Sequence, residues 1–152
     1  MFRDPYKRLV SLYKYYCWVT QVDDETGYKL DSSFFVLKKQ NHLLNKSFKD
    51  FIDNLNDKYL TNQLFIFSES LNIKEALINL KKVDKIYFQD NFYDSIKDLR
   101  QSLQLSLQIK NERNFKNVKF KINNEEKEYA IYKLKNEIEF YNKVRNKYFP
   151  IK

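Results

Sequence analysis

Apolar residues recur at three- and four-residue intervals through much of this chain, and in a few short stretches the interval falls to two or the run is unbroken. The first periodic segment follows Asp4-Pro5, an N-cap residue with proline at the first helical position. It places Leu9, Leu12, Tyr13 and Tyr16 on one face, which predicts a short helix over residues 6–16. Residues 15–22 turn to β-branched and aromatic types, DDETG follows, and residues 28–38 contain the apolar run FFVL. A β-hairpin about Gly27 and a longer first helix both satisfy this pattern.

Ser47 with Asp50 opens the next helical pattern, in which Phe48, Phe51, Ile52, Leu55 and Tyr59 repeat at helical spacing. Residues 64–67 (LFIF) then read as a buried strand ended by SES. Asn72 with Glu75 caps a helix whose Ala76, Leu77 and Leu80 would face a sheet. A second buried strand over 86–88 leads through QDN to a helix carrying Phe92, Ile96 and Leu99 on one side. Strand, helix, strand, helix at these lengths predicts a crossover unit with parallel strands.

Residues 102–110 (SLQLSLQIK) alternate strictly, and Val118, Phe120 and Ile122 alternate with Lys119 and Lys121 across an NERN turn, which predicts an antiparallel hairpin. A long helix closes the pattern over 124–148. Asn124 serves as its cap, Glu125, Glu126 and Glu128 fall early, Lys143, Arg145 and Lys147 fall late, and Pro150 stops it. Its stripe of Ile131, Leu134, Ile138, Tyr141, Val144 and Tyr148 approaches heptad spacing, so it packs on the sheet or meets a partner helix. The expected fold is thus α+β or α/β: a small mixed sheet with a central βαβ unit, an antiparallel C-terminal hairpin and a long C-terminal helix. Residues 1–152 form one domain, with an N-terminal helix or hairpin subregion (1–40), an α/β core (41–123) and the helix (124–148).

Composition narrows the chemistry. One glycine, Gly27, cannot build the loops of closely spaced glycines that cradle dinucleotides or nucleoside triphosphates. Lysine, asparagine, phenylalanine, tyrosine and leucine dominate while alanine is scarce, the bias of an A+T-rich coding sequence. A lone Cys17 makes no intrachain disulfide, and with the single His42 it cannot complete a tetrahedral nitrogen–sulfur zinc site, so neither a metal nor a cofactor is expected. The opening MFRDPYKRLV is too charged for a secretory signal and no run is long enough to span a membrane, which points to an intracellular protein, cytoplasmic or organellar.

Net charge is +8, distributed as +3 over residues 1–50, zero over 51–110 and +5 over 111–152. A neutral centre with basic ends suits a packed core whose outer elements touch an anion, with RNA the first candidate partner and other protein subunits the second. The expected nucleic-acid-binding residues are Lys110, Arg113, Lys116, Lys119 and Lys121 on the hairpin and Lys143, Arg145 and Lys147 at the end of the helix. Aromatics from Tyr13 to Trp18 are available to stack on unpaired bases. Ile131, Leu134, Ile138, Tyr141 and Tyr148 are the expected partner-helix contacts. The equivalent structural reading is a solvated outer strand that uses lysine against edge-to-edge aggregation.

Three further groups carry side chains capable of catalysis. Ser68, Glu69 and Ser70 follow one predicted strand and Gln89, Asp90 and Asn91 the next, the places where open α/β sheets put ligands. The six residues FIFSES resemble the strand-turn-helix of sugar-nucleotide transferases, a span that names no family; capping and turn formation account for the same residues. Cys17 lies in apolar surroundings that suit an inert thiol, and His42 lies in a polar junction without a neighbouring nucleophile. The carboxylate pairs Asp23-Asp24, Asp53-Asp57 and Asp94-Asp98 sit on polar faces near lysines, where solvation explains them. The sequence reading is therefore a non-enzymatic basic binding or structural subunit of an RNA-containing or multiprotein assembly. The alternatives are an inhibitor of a nucleic-acid enzyme of the kind phages and viruses make, or a small glycosyltransferase-like or nuclease-like enzyme using Glu69 and Asp90.

Overall fold

A computed structural model describes residues 1–26, 40–104 and 118–149 of the chain. Helices dominate it: α1 (Pro5–Thr26), α2 (Phe48–Asn54), α3 (Asp57–Leu60), α4 (Asn62–Phe65), α5 (Ile73–Leu80), α6 (Phe92–Leu103), α7 (Asn124–Lys133) and α8 (Lys135–Tyr148). Short 3₁₀ turns cover Asn41–Leu43 and Gln89–Asn91. The described residues contain no sheet; their β pairing is one isolated parallel bridge between Phe2 and Phe88.

The expected α+β or α/β fold is thereby corrected, element by element. The run LFIF was read as a strand, but a four-residue apolar run does not distinguish a strand from a buried helical turn. It falls across the end of α4, with Leu64 fully buried. Of the second expected strand, the backbone around Phe88 is extended and pairs only with the N-terminal arm: Phe2 N–H donates to Tyr87 O at 2.6 Å and Gln89 N–H to Phe2 O at 2.7 Å. A crossover unit therefore does not form. The start of the expected hairpin, residues 102–104, ends α6, with Gln104 left-handed at φ 51°, and residues 118–122 carry no regular element. The rest of that hairpin lies outside the described residues, as does Gly27.

Helices form at the expected starts, but the one read from Ser47 to Tyr59 breaks at Leu55 and Asn56 into α2 and α3. Asp4 Oδ1 accepts from Lys7 N–H at 2.8 Å, and Pro5 opens α1, which continues through residues 15–22 to Thr26. Ser47 caps α2 and Asn72 caps α5, each accepting backbone N–H groups. The single long C-terminal helix is two helices, interrupted at Leu134 (φ −87°, ψ 2°). Its cap is Asn123 rather than Asn124, in a reciprocal capping box with Glu126. With glycine nearly absent, Asn45, Leu71 and Gln104 occupy the left-handed positions that glycine would otherwise take.

Two hydrophobic clusters result. The first gathers Leu9, Tyr13, Tyr16 and Val19 of α1, Phe48, Phe51 and Ile52 of α2, and Ala130 and Leu134 at the end of α7. The second gathers Phe2, Leu64, Ala76, Leu80, Phe88 and, from α8, Phe140, Tyr141 and Val144. In sequence, α8 passes from Leu134 of the first cluster to Phe140 of the second, and Glu137, wholly buried, falls between them.

Candidate nucleic-acid interface

On α1, Leu9, Tyr13 and Tyr16 turn into the first cluster, so Arg8, Ser11, Leu12 and Tyr15, themselves at i, i+3, i+4 and i+7, make a second stripe beside them. This stripe forms one wall of a cleft of about 580 Å³, closed by Arg3 of the N-terminal arm, Tyr59 of α3 and Asn62 of α4. The volume suits a small ligand fragment. Its two tyrosines have outer neighbours: Tyr15 stacks on Trp18 with ring centroids 6.2 Å apart, and Lys58 Nζ sits 5.1 Å above the Tyr59 ring.

The two arginines differ sharply. Arg3 is anchored through its backbone, which exchanges hydrogen bonds with the Gln63 side chain: Arg3 N–H donates to Oε1 at 2.7 Å and Gln63 Nε2 donates to Arg3 O at 2.8 Å. Among the described residues its guanidinium takes part in no hydrogen bond or ion pair. Partial burial and the neighbouring Arg8 charge pull it below its usual basicity, against the opposing pull of Asp4 and Asp90. A cation held in a cleft beside a second cation is an arrangement that an anion relieves.

Arg8, in contrast, is engaged on its inner side. Nη1 donates to Tyr59 O at 2.9 Å, and Nη2 donates to Leu60 O and to Glu137 Oε2, the last at 3.0 Å. Its guanidinium thus closes the carbonyl end of α3, where a cation is favoured. Nε is buried without a hydrogen-bond partner.

Glu137 does the complementary work at the start of α4. Thr61, the N-cap of α4, provides no side-chain bond, and Glu137 Oε1 takes the Gln63 N–H at 2.6 Å, with the Leu64 N–H also directed at the carboxylate. A carboxylate from another helix thereby caps α4 while lying in the first turn of its own. Burial pushes its pKa up, and Arg8 and the two amides only partly oppose the shift. The Arg8–Glu137 pair joins α1, α3, α4 and α8 at the inner edge of the cleft.

The basic residues expected at the interface land as follows. Lys110, Arg113 and Lys116 lie outside the described residues. Lys119 and Lys121 are exposed in the irregular run before α7. Lys143 pairs with Glu139 at 2.7 Å and Arg145 with Asp90 at 3.2 Å, while Lys147 Nζ lies 5.0 Å over the Tyr148 ring. Each of these C-terminal cations is thus already engaged by the protein itself, although such half-exposed pairs are weak and solvent-screened. Of the expected partner-helix stripe, Leu134 and Tyr141 are buried in the two clusters and Ile138 packs on the first, leaving Ile131 and Tyr148 exposed.

The residues weighed for catalysis have structural employment. Ser68 and Ser70 donate to Glu75 Oε2 at 2.5 and 2.8 Å, and Ser68 Oγ accepts the Asn72 N–H at 3.0 Å, a network that fastens the start of α5. Glu69 is exposed, and Asp90 is taken by Arg145. Cys17 lines a separate cavity of about 210 Å³ with Tyr13 and Tyr16, where burial raises its thiol pKa; no hydrogen bond joins it to the exposed His42. Asp53 binds Lys49 and Tyr129, and Asp98 binds Lys85 and Tyr87. Among the described residues no cluster of three or more metal-ligating side chains occurs, and no helix is long and apolar enough to cross a membrane.

Sequence reasoning passed over Arg3, Arg8 and Glu137, although two signals pointed to them. Lysine outnumbers arginine 23 to 5 in this chain, yet two arginines fall within the first eight residues. Glu137 sits three residues after Leu134 and four before Tyr141, on the apolar stripe of a helix whose other acids face water. No family profile, curated protein sequence or solved structure matches this chain.

Proposed function

We propose that the chain is a non-enzymatic, basic binding subunit of an RNA-containing assembly, and that the cleft between α1 and the α3–α4 segment seats a stretch of single-stranded RNA. The observation that carries this reading is the Arg3 guanidinium, which among the described residues makes no hydrogen bond or ion pair and stands beside Arg8 in a cleft walled by Tyr15 and Tyr59. Arginine forks take phosphate oxygens, and tyrosine faces take unpaired bases without regard to sequence. The net charge of +8 adds a long-range attraction that brings a polyanion to this surface.

The test is fluorescence-anisotropy titration of a single-stranded oligouridylate, its DNA counterpart and a duplex across a salt series. With Arg8 balanced by Glu137, neutralising a phosphate with Arg3 gives a log–log salt slope of about −0.7 on a single strand at neutral pH. Arg3→Gln should weaken binding at least about tenfold, since a charge-assisted bond is lost, and reduce the slope by about 0.7. Because the Arg3 guanidinium makes no hydrogen bond or ion pair among the described residues, the thermal midpoint should change little. Absence of binding at low salt, or binding indifferent to Arg3→Gln, refutes the assignment; tighter binding of the duplex refutes the single-strand choice.

A further inference from the structure

Arg8 has two possible counter-charges: the buried Glu137 carboxylate behind it and an anion in the cleft in front of it. We infer that Glu137 sets the charge of the RNA seat, so that occupancy of the cleft by phosphate is coupled to protonation of Glu137. The inference rests on the cleft being the RNA seat, and it concerns how that seat is regulated.

The geometry makes the coupling direct. With Glu137 ionised, the Arg8–Glu137 unit is neutral overall and an incoming phosphate meets Arg3 as the uncompensated charge. When Glu137 takes a proton, its Oε2 no longer balances Arg8 at 3.0 Å, and the seat gains one positive charge without any movement of the chain. By linkage, a ligand that binds the protonated form more tightly also draws a proton onto Glu137.

Among the described residues, the other charged groups of the neighbouring elements are exposed or held by other partners. On α1, Arg8 is the charged partner of Glu137, α4 (Asn62–Phe65) carries no charged side chain, and on α3 Asp57 and Lys58 are exposed, with Lys58 over the Tyr59 ring. On α5, Lys74 and Glu75 are exposed, and Glu75 is held by Ser68 and Ser70. On α7, Glu126 is held by the capping box and Lys133 pairs with Asp53. At the arm and the Gln89–Asn91 turn, Asp4 faces Lys7 N–H and Asp90 pairs with Arg145. Burial raises the pKa of Glu137, whereas hydrogen bonds lower those of Asp53, Glu75 and Asp98.

Affinity for an oligouridylate without terminal phosphates, whose bases do not titrate between about pH 5 and pH 8, reads the coupling. Wild type should bind more tightly as pH falls, by about threefold to tenfold per unit at the steepest point, tenfold being the limit for one linked proton. Glu137→Gln, which keeps an acceptor for the Gln63 N–H, should bind at the acid-limit affinity at every pH. His42→Gln, an exposed site outside the cleft, should retain the wild-type profile. Should Glu137→Gln fail to fold, calorimetry of wild type in two buffers of different ionisation enthalpy replaces it, with net proton uptake expected on binding. Binding that is sensitive to Arg3→Gln yet flat with pH overturns the coupling and leaves the RNA seat standing, whereas no binding at any pH removes both. A pH profile that persists in Glu137→Gln or vanishes in His42→Gln, or zero proton uptake, also overturns the coupling.

Discussion

Replacing Arg8 by methionine removes the cation paired with a carboxylate that has no access to solvent, since the Glu137 side chain is 0% exposed and that of Arg8 only 16%. Stranding a buried charge in this way costs about 3–5 kcal/mol. The carbonyls of Tyr59 and Leu60 lose their donor as well: the first bond is exposed, so water can replace it, while the second is part-buried and adds a smaller share to the cost. The cost of Arg8→Met should therefore be mainly electrostatic and should be largely relieved by removing the stranded charge. In Arg8→Met/Glu137→Gln the amide oxygen still caps α4 through the Gln63 N–H, so the double variant should lie within about 1–2 kcal/mol of wild type. Urea unfolding followed by far-ultraviolet circular dichroism, with linear extrapolation at neutral pH, reads both values. If Arg8→Met costs less than about 1 kcal/mol, or if the double variant is no more stable than Arg8→Met, Glu137 is not held as a buried charge by Arg8 and the reasoning fails.

Further predictions concern the rest of the frame. Asn123→Ala should destabilise by about 1 kcal/mol through loss of the capping box, while Asn124→Ala should be nearly neutral; equal effects in thermal denaturation would contradict the observed helix start. Phe51→Ala, at a fully buried site against Tyr13 and Tyr16, should cost about 3–5 kcal/mol, and Tyr93→Ala, 78% exposed, should stay within about 0.5 kcal/mol. Hydrogen bonds from Lys49 to Asp53, Ser68 to Glu75 and Tyr87 to Asp98 hold those carboxyls below their ordinary range. Their contribution is thus present above the unfolded values and lost as pH falls through the lowered ones. The urea midpoint should accordingly drop below about pH 4, and less so in the triple variant Asp53→Asn/Glu75→Gln/Asp98→Asn. Glu137 acts with the opposite sign: its folded pKa is raised, so its contribution is complete at acid pH and lost as pH rises through that value. Glu137→Gln should remove that decline; a wild-type profile retained in the variant would refute the assignment.

Helices with clear caps were legible from the sequence because their signals are local. Asp4-Pro5, Ser47 and Asn72 each combine a start signal with apolar residues at helical spacing, and each opens a helix in the structure. The strands were misread where the signal was short or one-sided. LFIF is too brief to have a period, and Leu64 belongs to a helix whose N-terminus is completed by Glu137, seventy-four residues after Gln63, which no local pattern reveals. Alternation around Val118 and Ile122 was taken for a strand, whereas Ile122 packs on the first cluster from an irregular segment. The interface was misplaced for a related reason. Counting charges finds where lysines are abundant but not which cations the fold leaves uncompensated. Lys143 and Arg145 have partners in Glu139 and Asp90, and Arg3 acquires its position only when the arm is fastened to Gln63.

The claim on which the functional account depends is that RNA enters between Arg3, Arg8, Tyr15 and Tyr59. Nuclear magnetic resonance of the labelled protein, titrated with an unphosphorylated oligouridylate at low salt, locates the contact directly. The account predicts that the arginine side-chain resonances of Arg3 and Arg8 and the ring resonances of Tyr15 and Tyr59 shift first and furthest. Shifts confined to Lys119, Lys121 and the end of α8, with the cleft undisturbed, would contradict it.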